Sequence, residues 1–123
     1  MNLKYIYKII DNNEWKKAKE TGLYSGSVKD LQDGYIHFSG EDQIQGPLKK
    51  YYTNKKNLIL LKVETLNLNN LFWEQASDGH MFPHLYSTLD IKNVISENEI
   101  ILNADGTHTV SYTHLTLPTI CSV

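Results

Sequence analysis

The sequence has one cysteine, Cys121, close to its end, which excludes an intrachain disulfide or a cysteine-based metal cluster and best fits a reducing cytoplasm. No segment approaches the ~18 consecutive apolar residues of a membrane span. Lysines at positions 4 and 8 break the apolar character of MNLKYIYKII, so neither export nor membrane insertion is expected. There is no basic excess: 12 Lys and Arg stand against 14 Asp and Glu, for a net charge of −2 and a pI near 6.2. A chain without a positive field has little to neutralise a nucleic acid backbone, and nucleic acid is not an expected partner. Repeats and linker-like stretches are absent too. What is present is 123 residues, 41% hydrophobic and 21% charged, with eight tyrosines and two tryptophans. That is enough for one domain around one core.

The last fourteen residues, VSYTHLTLPTICSV at 110–123, hold none of the 26 charged side chains. They resemble a translated adapter or vector sequence, so the domain is expected over residues 1–109, with a non-native or disordered tail over 110–123. The alternative is an edge strand, since YTHLTL has fair β character.

Along the domain, LKYIYKII alternates as a strand, with Leu3, Tyr5, Tyr7 and Ile9 on one face and Lys4, Ile6, Lys8 and Ile10 on the other. DNNEWKKAKETG predicts a short helix with Trp15 and Ala18 on one side and Gly22 as its stop. LYSGSVKDLQDG reads as a loop leading to a second strand, YIHFS. GEDQIQGPLKKYY is helical but holds Gly46-Pro47, so the helix is kinked there or begins at Pro47. NLILLKVE, apolar on both faces, predicts a strand at the centre of a sheet. LFWEQ and LYSTL are further short strands, Asp90 caps one turn over IKNVI, and EIILNADGTHTV has strand and turn character. The whole reads as a compact single α+β domain with a mixed or split β-sheet and two or three short helices.

His80 and His84 have the four-residue spacing of helical zinc pairs, but Pro83 disfavours the helix that would align them, and no metal site is expected. On a strand, Tyr35, His37 and Ser39 share a face opposite Ile36 and Phe38. That trio either faces water or lines a cleft in which an imidazole works beside a hydroxyl, with Gln43 closing over it. Trp73 and Glu74 fall on opposite faces of LFWEQ, and a carboxylate near aromatic rings can have its pKa raised into the range of a general acid or base. Phe82-Pro83 extends or turns the backbone so that His84 and Tyr86 project together, with Leu85 opposite.

In order and spacing, IYKI, Trp15 and Ala18, GSVKDLQDGYIHFS with a following Gln, LILLKVE, LFWEQ, FPHLYSTL and DGTH resemble a small bacterial family catalogued as domain of unknown function 952. The resemblance runs from about Leu3 to about His108. Its characteristic positions fall on Tyr7, Trp15, Gly26, Ser27, Asp30, Gly34, His37, Ser39, Gln43, Trp73, Glu74, Pro83, His84 and Tyr86. Many relatives carry threonines where this chain has Gly40 and Pro47. The family is in turn similar to the ADP-ribosyltransferase superfamily, which implies an ADP-ribosyltransferase-like split sheet with NAD or a related nucleotide in its cleft. That resemblance implies His37 or His84 on the ribose, Tyr86 or Tyr7 on the nicotinamide ring, and Glu74 orienting the attacking group. Glu74, His37 and His84 are thus the catalytic candidates, and Tyr7, Ser39, Gln43, Trp73 and Tyr86 the ligand-binding ones. The other reading is a non-catalytic ligand-binding or interaction module in which these polar residues specify the fold.

Overall fold

Strand β1 (Tyr5–Asp11) forms where β-branched and aromatic residues alternate, and both of its faces are buried. It pairs antiparallel with β4 (Leu58–Glu64), which pairs with β8 (Val94–Leu102), which pairs with β9 (His108–Val110). The apolar NLILLKVE segment therefore takes an interior place in this four-stranded sheet. These elements belong to a computed structural model that describes residues 4–111 of the chain.

One face of the sheet sends Ile6, Ile10, Leu61 and Val63 into a core with Trp15, Ala18, Ile36, Phe38, Leu85 and Leu89. The other packs Tyr7, Ile9, Leu58, Leu60 and Ile100 against Ile44 and Leu48. Helix α1 (Asn12–Thr21) supplies Trp15 and Ala18. The Asp11 side chain accepts from Asn13 N at its start, and Gly22 ends it. A three-stranded sheet of β3 (Ile36–His37), β6 (Met81–Leu85) and β5 (Leu71–Gln75) closes over the first core, beside a two-stranded pairing of β2 (Leu23–Tyr24) with β7 (Leu89–Asp90). Reciprocal backbone hydrogen bonds between Tyr7 and Ser39, both 2.8 Å, tie the large and small sheets together. Every strand pairing among the described residues is antiparallel, so the sheet is split without being mixed.

Four sequence expectations change. The segment expected as loop holds a second helix, α2 (Val28–Asp33). Ser27 Oγ accepts from Asp30 N while Asp30 accepts from Ser27 N, a reciprocal cap, and Gly34 closes the helix. Helix α3 (Gln45–Tyr51) starts two residues before Pro47, after a 3-10 turn over Glu41–Gln43. Proline is tolerated there because first-turn N–H groups have no intrahelical acceptor. LYSTL is not one strand: the extended run is Met81–Leu85, and pairing resumes only at Leu89. The sheet also continues past residue 109, since Val110 pairs with Ile100 and Ser111 N donates to Glu99 O. The adapter-like stretch 112–123 lies outside the described residues. As expected, Asp90 caps a single 3-10 turn, Ile91–Asn93, by accepting from Lys92 N. No helix among the described residues is long and apolar enough to cross a membrane.

Candidate functional site

In the small sheet His37 stands directly opposite His84. Tyr35 lies over both: its ring stacks on His84 at 4.0 Å between centroids and tilts against His37 at 4.7 Å. The face predicted to be polar thus turns into a cleft of about 400 Å³, bounded by β1, the start of α2, α3 and the β5–β6 turn. Tyr7, Ser39, His37 and His84 all line it, together with Lys8, Tyr35, Tyr51 and Tyr52.

Two hydrogen-bonded systems meet on this wall. In the first, Asp30 is the hub. Lys8 Nζ donates to both of its oxygens at 2.9 and 3.2 Å, His37 Nδ1 lies 2.6 Å from Oδ1, and the His37 and Ser27 amides also donate to it. Burial alone would push the Asp30 carboxyl up, but the His37 bond, the Lys8 ammonium and the Ser27 amide hold it well below the usual carboxylate range. Burial lowers the pKa of Lys8 from its ordinary value, against the pull of Asp30. The other ring nitrogen of His37, Nε2, is 3.0 Å from Asp33 Oδ2. Carboxylates therefore engage both nitrogens of His37, and neither is left for a ligand.

The second system is built on Glu74. His84 Nδ1 lies 2.8 Å from Glu74 Oε1, and the Tyr86 hydroxyl donates to the same oxygen at 2.6 Å. These two bonds lower the pKa of Glu74, and donating to it pushes Tyr86 up to about 12. The expectation that neighbouring rings raise Glu74 is overturned, because donors and not ring faces meet a carboxylate that stays substantially exposed. Glu74 is an ionised orienting group, one step behind His84. His84 Nε2 has no hydrogen bond to any described residue.

The other candidates separate. Tyr86 reaches the cleft only through Glu74 and its ring contact with Tyr35 at 5.2 Å. Trp73, on the opposite face of β5 from Glu74, packs against the core and does not line the cleft. Gln43 does not close over the histidines. Its amide accepts from Gly40 N and donates to Met81 O, pinning the turn after Ser39 to β6. His80 sits in the exposed β5–β6 turn beside Asp78, away from His84. Among the described residues no three His, Cys, Asp or Glu side chains are grouped to hold a metal ion.

Sequence reasoning passed over Lys8, gave Asp30 only as a position of the family pattern, and placed Tyr35 on the polar face without counting it among the site residues. Lys8 alternates with Ile6 and Ile10, so the strand period itself placed it on a core face. Asp30 carried a signal in the Ser27-x-x-Asp30 spacing of a capping box. Tyr52 also lines the cleft, and burial pushes its hydroxyl up to about 12, which leaves it a protonated donor.

A profile for the family described as protein of unknown function (DUF952) matches residues 9–97. Among solved structures, the crystal structure of protein CC0527 from Caulobacter crescentus is 42% identical, covers 85% of this chain and 93% of its own, and superposes with a TM-score of 0.81. A double methionine variant of that protein, at 40% identity and the same coverage, gives 0.81 as well. Its solution NMR structure, 42% identical over 85% of this chain and 91% of its own, gives 0.76. No curated protein matches. With the profile spanning most of the domain and a relative of known structure above 40% identity, the chain belongs to the DUF952 family.

Proposed function

We propose that the protein binds a small planar ligand in this cleft and that His84, oriented by Glu74, is the acid–base group that acts on it. The observation that carries the reading is the Glu74–His84 pair. A carboxylate 2.8 Å from Nδ1 favours the tautomer with its proton on that nitrogen and leaves Nε2 as an acceptor on the cleft wall. A volume of about 400 Å³ is near the lower end of the ~300–1,000 Å³ of small-molecule sites, and tyrosine rings form much of the wall.

In its finer form the ligand is NAD or a related nucleotide, and the reaction is of transferase or glycohydrolase type, in the cytoplasm. The split sheet with a cleft lined by histidines and tyrosines, and Glu74 behind His84, supports this by resemblance to ADP-ribosyltransferase-like sites. The volume suits one ring-bearing end of a dinucleotide. Glu74 acts through His84, since Oε1 is already occupied by His84 and Tyr86. The remaining role is proton transfer at His84 Nε2, worth about 10²–10⁴-fold in rate for a positioned group.

Calorimetry with NAD, ADP-ribose and nicotinamide tests the finer form: at least one binds wild type, and His84→Asn retains its fold while losing at least about a hundredfold in turnover. No heat from any of the three at millimolar concentration sinks it. The non-catalytic reading is favoured by one observation, the Asp30 hub, whose bonds tie α2 to β1 and β3 as a fold-specifying network would.

A further inference from the structure

Two polar atoms on the cleft wall, each from a largely buried residue, have no hydrogen-bond partner among the described residues. Ser39 and His84 are each only 6% exposed. Neither Ser39 Oγ nor His84 Nε2 has a hydrogen bond to any described residue. Trp15 Nε1 is sealed in the core without a partner among the described residues, whereas Ser39 Oγ and His84 Nε2 keep an opening, and both residues line the cleft. Open to the cleft, both atoms take their partner from water or from a ligand, and two of them on one wall make a polar subsite.

Their relative placement follows from strand register. His37 is opposite His84, and Phe38 N donates to Pro83 O at 3.0 Å, which carries the register one residue further. Ser39 comes two residues after His37 and so shares the face of His84 as its diagonal neighbour, at a spacing of about 7–8 Å. The Tyr7 bridge fixes it there. That gap is too wide for a direct bond and suits a flat polar edge set between the two groups.

Charge narrows the class. All twelve basic residues of the chain are lysines, so no guanidinium fork exists to clamp a phosphate. Lys8 is paired with Asp30, Lys29 with Asp33 at 3.3 Å, and Lys50, the third lysine of the lining, lies over the Tyr51 ring at 5.2 Å. Building on the cleft reading above, we infer that Ser39 and His84 together recognise an amide-type edge, the adjacent N–H and C=O of a lactam ring. With its own proton directed to Glu74, the imidazole accepts the ring N–H at Nε2, and the Ser39 hydroxyl donates to the carbonyl.

The probes are 2-pyridone and N-methyl-2-pyridone, which differ at the N–H alone, titrated while the His84 ring nitrogens and the Ser39 amide are followed by NMR. Saturable binding of 2-pyridone is expected. The N-methyl compound should bind roughly tenfold more weakly or worse, because the imidazole loses its donor. Ser39→Ala should weaken 2-pyridone to a similar degree with an unchanged melting temperature. Equal affinity of the two pyridones, a comparison needing no variant, overturns the inference, as does wild-type affinity in a folded Ser39→Ala. If neither pyridone shifts His84 but NAD or nicotinamide does, the lactam assignment falls and the cleft reading stands. If no probe moves any cleft resonance, both fall.

Discussion

Asp30 is the residue on which the polar interior depends, since its carboxylate neutralises an ammonium that is almost wholly buried. Asp30→Asn removes that charge and leaves Lys8 uncompensated, so a loss of about 3–5 kcal/mol is expected in urea unfolding at neutral pH. The pH dependence follows from the same carboxylate. Its folded pKa is depressed, so its contribution to stability is fully present above the unfolded value of about 3.9 and is lost as pH falls toward the lower folded value. Urea midpoints measured from neutral to strongly acid pH should fall steeply below about pH 4 in wild type and far less in Asp30→Asn. His37→Ala, which takes a ring donor from the same carboxylate, should cost about 1–3 kcal/mol and is checked by the same unfolding curves. Little of this was legible in the sequence. Lys8 looks like a charge interrupting an apolar run, and only the partner that lies 22 residues away explains why it is buried.

At the level of elements, α1 and α2 show why one helix was readable and the other was not. The first spans ten residues with a visible apolar face at Trp15 and Ala18. The second has six, too few for a periodic signal, and buries only Asp30. It is specified by its ends, Ser27 and Gly34. Ser27→Ala should therefore cost about 0.5–2 kcal/mol. The two flanking glycines should differ. Gly34 adopts φ +88° with open space where a Cβ would go, and Gly34→Ala should cost about 1–2 kcal/mol from backbone strain alone. Gly26, at φ +116°, would place its Cβ 2.8 Å from that of Asp30, so Gly26→Ala strains the backbone and also displaces the hub. Thermal melts of the two variants should rank Gly26→Ala as clearly the less stable. Pro47 misled for a related reason: an interior proline argues against a helix, whereas the first turn of α3 accommodates it.

Across the whole molecule, the α+β class and the central strand could be read from local patterning, and strand alternation gave the side on which His37 and His84 each project, but not that the two stand opposite one another. The difference between the surroundings of the two histidines could not be read either. It depends on which carboxylates reach each ring: Asp30 and Asp33 occupy both nitrogens of His37, while Glu74 occupies only Nδ1 of His84. Trp73 and Gln43 were expected in the cleft from their positions in the motif, yet one packs on the core and the other bridges a turn. A motif position records that a side chain matters, and packing shares that property with chemistry.

The claim that His84 is the working group and His37 a structural one can be tested directly by a long-range ¹H–¹⁵N spectrum of the histidine rings, recorded at a pH where the His84 ring is neutral, with and without NAD or nicotinamide. The geometry predicts a His84 proton on Nδ1, an unprotonated Nε2 that shifts as ligand is added, and His37 nitrogens that do not respond. A His84 proton on Nε2, or a ligand response at His37 with none at His84, would contradict it.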